Sequence, residues 1–374
     1  MKPKRIASIL FLTIFAMASM ALGQTTVTTA PVGFVTGTCM VNGTTGCDTI
    51  ISVPFASTPD YVGTLSGTAT FSGSLATIVA SGTSPGWTTN QFALLYTASP
   101  SYPTYYIKFT SGTLNGKFFT VTANSAAAIT FDPAGDIVTS ATTGDAFSVV
   151  KYWTLGTLFP PSTQTAIVAS AGTKSFQRKT TLLLPNLSGT GINLASQQSF
   201  YIYSTGTSAS WVDTQSSLDA TNQILYPDTY FIVRHPSTVS SNTTYTFTGS
   251  VNIDRATLPL ATLTSKQQDN YVAHQRPVGV TLLQSGLASG FVSSAGTKSF
   301  QQKDLLLVFD NTTTGINKAA SQTFIMIGSD WYDLQGNNQD AFVLQPGTGF
   351  IIRKYPVVGG TSAFWTNDPN FTNN

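Results

Sequence analysis

Few side chains in this sequence can move a proton, attack a substrate or hold a metal. Gly82-Thr-Ser84-Pro-Gly86 has the outline of a nucleophile elbow, in which a serine between a strand and a helix is served by a later aspartate and histidine. Pro85 follows the serine at once, and Thr88-Thr-Asn-Gln91 does not open a helix. Chance in a Gly/Ser/Thr-rich chain explains the match better than a hydrolase does. His235 and His274 are the only two histidines. With so few acidic neighbours, surface or turn positions suit them better than a general base or a His-rich metal centre. Ser170 with Lys174, and Ser294 with Lys298, have the spacing of a serine–lysine pair, but the Gly-Thr between them reads as a turn. The Gly-Thr-Lys-Ser string also lacks the upstream glycine of a phosphate loop.

Carboxylate chemistry is equally thin. No Glu occurs, so all 16 acids are Asp. The nearest pairs, Asp132/Asp136 and Asp330/Asp333, lie in loop-like sequence, whereas glycoside hydrolysis needs one acid with a raised pKa. Asp132/Asp136 and Asp310-Asn311 hold too few regularly spaced oxygens for a calcium loop. Cys39 and Cys47 flank the turn signal Asn42-Gly43, and an oxidising compartment would join them in a local disulfide. Two thiolates without a nearby histidine do not make a zinc site. No cofactor is expected.

The most informative polar residues are repeated ones. Trp211 and Asp213, followed by Arg234, are mirrored by Trp331, Asp333 and Arg353. One reading is a sugar platform, with an indole face and Asp and Arg binding hydroxyls. The favoured reading is structural: a core or edge tryptophan beside an Asp213–Arg234 or Asp333–Arg353 pair, a task that suits the guanidinium fork.

These residues sit inside a duplication. Ser170-Ala-Gly-Thr-Lys-Ser-Phe-Gln177 returns as Ser294-Ala-Gly-Thr-Lys-Ser-Phe-Gln301, and Gly191-Ile-Asn193 as Gly315-Ile-Asn317, both 124 residues on. Phe231-Ile-Val-Arg234 returns as Phe350-Ile-Ile-Arg353 at 119, so residues are lost inside the second copy, near 205–210. Lys354 then falls where His235 stands. A broken third relative is read at the N-terminus, where Cys47-Asp-Thr-Ile-Ile resembles Lys303-Asp-Leu-Leu-Leu.

Strand signals run through all of this. Tyr245, Phe247, Val251 and Ile253 alternate with polar residues, and Tyr105, Ile107 and Phe109 lead to the hairpin signal Asn115-Gly116. The expected fold is all-β: tandem sandwich or jelly-roll-like modules, with a further small β-barrel or sandwich near the N-terminus. The expected partition is a signal peptide at 1–23, a partial repeat at 24–60, an inserted β domain at 61–150, and modules at 151–276 and 277–374.

Charged residues are 9% of the chain, with 18 Lys+Arg, far below the ~25% of ordinary domains. The surface must be coated with hydroxyls and amides. No basic patch suits nucleic acid, and weak charge repulsion tolerates self-association. Lys2, Lys4 and Arg5 precede an apolar run, and Ala21 and Gly23 mark a cleavage site, the pattern of an export signal. No later segment is apolar enough for a transmembrane helix.

Several phrases, among them Asp48-Thr-Ile-Ile-Ser-Val-Pro-Phe55, Tyr152-Trp-Thr-Leu-Gly-Thr-Leu-Phe159, Tyr230-Phe-Ile-Val-Arg-His-Pro236 and Pro346-Gly-Thr-Gly-Phe-Ile-Ile-Arg-Lys354, resemble an uncharacterised verrucomicrobial-type family of exported proteins from bacteria with a two-membrane envelope. The resemblance implies export and a shared architecture, and no activity. The expectation is an exported, non-enzymatic structural or interaction protein of the periplasm, outer surface or medium, its partner a second copy or a surface glycan. A carbohydrate-binding module is the alternative, and a serine or carboxylate hydrolase a more distant one.

Overall fold

The computed structural model describes residues 31–82, 85–93, 104–360 and 362–369. Among these the chain is all-β, built from antiparallel sheets with only single-turn helices between them. No described helix is long and apolar enough to cross a membrane.

Residues 61–151 form one seven-stranded sheet. Its alternating residues Ile107, Phe109, Phe119, Ile129, Phe131 and Phe147 all point into one core, as a period of two demands. The sheet curls until its ends meet: Leu65 bridges Ala80, Ser66 N donates to Val79 O at 2.9 Å and Ser81 N to Thr64 O at 2.7 Å. The small domain expected here is therefore a barrel.

The two modules are sandwiches of similar plan. In the first, a five-stranded sheet runs Ala209–Asp213, Gln198–Ser204, Thr181–Leu184, Phe231–His235, Cys47–Ile51. It packs on a three-stranded sheet of Val32–Cys39, Thr243–Val251 and Phe55–Ala56 around Phe159, Phe200, Trp211 and Phe247. In the second, Gln268–Ala273, Gly349–Lys354, Leu305–Val308, Gln322–Ile327 and Asp330–Asp333 form the larger sheet. Ala256–Leu260 paired with Ala363–Asn367 faces it across Leu306, Phe324, Trp331 and Trp365.

Strand pairing redraws two borders of the partition. Residues 32–56 are not a third repeat. They supply two sheets of the first module, into which the barrel is inserted. Residues 256–273 likewise belong to the second module. Asp48 pairs in register with Arg234, and Asp269 with Arg353. The true counterpart of Asp48 is thus Asp269, not Asp304 of the Lys303-Asp phrase. Hydrogen bonding across the insertion made the match, and local similarity could not reveal it.

Candidate functional site

The repeated arginines do not meet Asp213 and Asp333. Arg234 is held by Asp48 in a two-bond fork, Nε to Oδ1 at 2.7 Å and Nη2 to Oδ2 at 2.8 Å. Arg353 is held by Asp269 in the same way, at 2.7 and 3.0 Å. Both carboxylates are buried, and the bond to Asp48 raises the Arg234 pKa above its already high value. Asp213 and Asp333 instead accept backbone N–H groups of their own turns, from Gln215 and Ser216 and from Gln335 and Asn337. Short polar side chains commonly fold turns in this way.

Each fork is completed by the other module. Arg234 Nη2 donates to Asn317 Oδ1 at 2.7 Å, and Asn317 N donates to Asp48 Oδ2 at 2.7 Å. Arg353 Nη2 donates to Asn193 Oδ1 at 2.8 Å, and Asn193 N to Asp269 Oδ2 at 2.8 Å. Asp48 N reaches Gly315 O at 2.8 Å, and Asp269 N reaches Gly191 O at 2.9 Å. The two Gly-Ile-Asn motifs therefore exchange places, and the modules clasp each other like the halves of a two-fold dimer. Both motifs lie in left-handed backbone, with φ of 119° and 54° at Gly191 and Asn193, and 127° and 50° at Gly315 and Asn317. Glycine and asparagine tolerate that region best, which accounts for their repetition.

Between the clasps lies an apolar centre of Ile50, Tyr230 and Ile351 with Ile232, Tyr271 and Leu307. Tyr230 lies so close over Gly349 that a Cβ there would fall 2.3 Å from its own. A groove of about 390 Å³ opens beside it, lined in part by Asp48, Arg234, Asn193 and Asn317. Asp48, Arg234 and Asn317 bind one another and Asn193 is spent on the second clasp, so a ligand using these groups would have to break a clasp.

A second position differs between the modules. His235 is buried, with Nδ1 2.7 Å from Thr180 Oγ1 and Nε2 2.9 Å from Thr243 Oγ1, and Thr243 in turn donates to Ala166 O. Burial pushes its pKa down to about 4. At the equivalent place Lys354 is buried against Asp304 and donates to Gly290 O. His274 is also buried, its Nε2 meeting Val278 O at 2.9 Å, and desolvation lowers it to about 4. Neither ring faces solvent as a base must.

Trp211 and Trp331 are both 0% exposed. Trp211 Nε1 donates to Phe159 O at 3.0 Å, and Trp331 meets Phe291 edge to face at 4.8 Å. Neither ring can stack on a sugar, which removes the platform reading of these residues. Searches against family models, curated proteins and solved structures return no match for this chain.

The expected disulfide is absent. Cys39 and Cys47 are buried free thiols. Residues 40–46 cross from one sheet to the other, so Cys39 ends the strand paired to Thr243 while Cys47 starts the strand paired to His235. Cys47 Sγ points at Asp48 O and Thr313 O, and burial raises the Cys39 thiol to about 12. Ser84 lies outside the described residues. Asp132 caps Ala134 N and Asp136 pairs with Lys117 at 3.0 Å. Asn311 is spent on the Ile50 backbone, at 2.8 and 2.7 Å. Among the described residues no group of three or more His, Cys or Asp side chains is placed to hold a metal.

Two surface features carry more than the sequence suggested. Among the described residues the strand Val32–Cys39 is an edge, hydrogen-bonded only to Thr243–Val251, with Val32 and Phe34 exposed. Its counterpart Ala256–Leu260 is covered, because Thr257 N and Oγ1 donate to Gly116 O and Asn115 O of the barrel at 3.0 Å each. The identical octapeptides, read as plain turns, each end in a single-turn helix that carries an exposed phenylalanine, Phe176 or Phe300.

Proposed function

We propose that this is an exported, non-enzymatic structural or interaction protein of the cell envelope or exterior, and that it self-associates along the Val32–Cys39 edge. The edge that no described residue covers carries this reading. Exposed strands are normally guarded by charge, proline or a bulge. Val32-Gly-Phe-Val-Thr-Gly-Thr-Cys39 has no charge and no proline, and it pairs in unbroken register on its other side. The equivalent edge of the second module is covered by a turn of the same chain, which leaves a second copy as the occupant that matches this one. The basic, then apolar start of the sequence and the resemblance to exported proteins support the location. The histidines buried without access, and Asp48, Asp269, Asp213 and Asp333 spent on ion pairs and turns, support a role without catalysis.

The test is the mass of the full chain, with and without Thr36→Lys, by light scattering and sedimentation. Thr36 is the counterpart of Thr257 and lies mid-edge, its hydroxyl 2.9 Å from Thr246 Oγ1 on the exposed face. Wild type should form dimers or larger assemblies, and the lysine should return it to monomer with an unchanged melting temperature. A wild-type monomer at every concentration ends the self-association reading. Cell fractionation that leaves the chain in the cytoplasm ends the export reading separately.

A further inference from the structure

Over residues 170–179 and 294–303 the two modules agree at nine of ten positions, Arg178 and Gln302 being the exception. The buried residues beside these segments have drifted apart, with Thr180 against Asp304 and His235 against Lys354. Part of the agreement is structural. Ser170 Oγ and Ser294 Oγ accept the Lys179 and Lys303 amides at 2.9 and 3.0 Å. A Cβ on Gly172 or Gly296 would collide with Gln177 or Gln301, at 2.1 and 2.5 Å. Serine, glycine and glutamine thus build a fixed turn. None of this needs the phenylalanine it carries: Phe176 is 80% exposed and Phe300 79%. One exposed ring alone would need no explanation; the same ring held out twice, on the same pre-formed turn, argues for an interaction site rather than a packing need.

The charges around the rings say what kind of partner fits. Lys174, Arg178 and Lys179 flank Phe176 in the sequence, and Lys298 and Lys303 flank Phe300, although Arg178 also stacks on Tyr201 and Lys303 on Tyr355. These are five of the chain's 18 cations, and neither segment contains an acid. All 16 acids lie outside the two segments, with the remaining 13 cations. The partner must therefore offer negative charge and an apolar layer together. Each ring is a projecting tip, and a projecting tip suits a partner that can be penetrated. A phosphate-bearing lipid surface meets both conditions: the ring enters the acyl boundary while lysines stay with the phosphates.

We propose that the paired Phe176 and Phe300 turns are a two-point anchor for an anionic lipid surface. Two weak contacts on one chain reinforce each other where both reach the same surface. The probe is flotation of the full chain with vesicles of phosphatidylglycerol and phosphatidylethanolamine, against vesicles of phosphatidylcholine alone. Wild type should float with the anionic vesicles and be released by salt. Phe176→Ala and Phe300→Ala should each weaken binding about tenfold, and the double variant should abolish it. Lys174→Gln with Lys298→Gln should weaken it less. All four positions are exposed, so the melting temperature should not move. Absence of wild-type flotation overturns the proposal, as does binding that survives loss of both rings. Retention on an immobilised acidic polysaccharide without vesicle binding also overturns it and assigns the turns to a glycan. The mass of the Thr36→Lys variant is unaffected by any of these outcomes, so failure here is separable from failure of the self-association reading.

Discussion

The two modules solve one buried polar position in opposite ways. In the first, His235 is neutral and shares hydrogen bonds with Thr180 and Thr243. In the second, Lys354 forms a buried ion pair with Asp304. The surrounding frame is the same: Val168 N bonds Thr180 Oγ1 at 3.1 Å, and Val292 N bonds Asp304 Oδ2 at 2.6 Å. The residue after the base explains part of the difference. Tyr355 N needs an acceptor and finds Asp304 Oδ1 at 2.7 Å. Pro236 has no N–H to satisfy, so a hydroxyl with one acceptor role suffices. A fold can therefore exchange a polar triad for an ion pair, provided every partner changes with it.

The largest way to break this comparison is Asp304→Asn. It leaves the Lys354 ammonium buried without a counter-charge, and loss of one partner of a buried pair costs about 3–5 kcal/mol. Thr180→Val removes only neutral hydrogen bonds and should cost about 1–2 kcal/mol. Urea unfolding of the two variants should rank them in that order. Combining Asp304→Thr with Lys354→His, Tyr355→Pro and Ala363→Thr, the last at the counterpart of Thr243, transplants the first module's solution and should recover most of the loss. Equal losses from Asp304→Asn and Thr180→Val would mean that the ion pair is no more demanding than the triad.

Acid sharpens the same contrast. His235 and His274 hold near 4 in the folded chain, against about 6.5 when unfolded. Between those values the unfolded chain binds more protons, so stability falls as pH drops from 6.5 to 4, and these two groups add no further loss below 4. For a ring as buried as His274 the shift corresponds to about 3 kcal/mol. His235→Gln keeps partners for Thr180 and Thr243 and removes one titrating group. Its proton uptake on unfolding at pH 5 should be about one less than that of wild type. An unchanged uptake would place a charge, not a neutral ring, at His235.

How much of this was legible beforehand follows from what is local. The period-two runs through Ile107 and Phe109, and through Tyr245 and Phe247, announced the strands, and the matched phrases announced two modules. The ion pairs were hidden because their partners are remote. Asp48 lies 186 residues from Arg234, across the whole inserted barrel, and Asp269 lies 84 from Arg353. Asp213 and Asp333, closer in sequence, were the natural partners to expect, yet each is consumed by its own turn. Gly191-Ile-Asn193 and Gly315-Ile-Asn317 were visible as repeats, but their exchange between modules is a property of tertiary packing. The cysteines misled for a related reason: a short separation along the chain hid a change of sheet.

The clasp offers the subtlest contrast, because here the modules should behave alike. Asn193 and Asn317 each take one guanidinium hydrogen bond at 2.8 and 2.7 Å. Each also holds a left-handed φ, which alanine adopts with strain. A hydrogen bond to a charged group contributes about 1.5–3 kcal/mol, so Asn193→Ala and Asn317→Ala, which lose it and add strain, should cost more than that, equally within error. Replacement by glycine keeps the backbone and removes only the side-chain bond, so Asn193→Gly and Asn317→Gly should cost less, again equally. The double variant separates two mechanisms. If the modules are joined as one body, losing the first clasp already loosens the second, and the pair should cost less than the sum of the singles. Strict additivity would mean that each clasp works alone and that the apolar centre around Tyr230 and Ile351 holds the modules together.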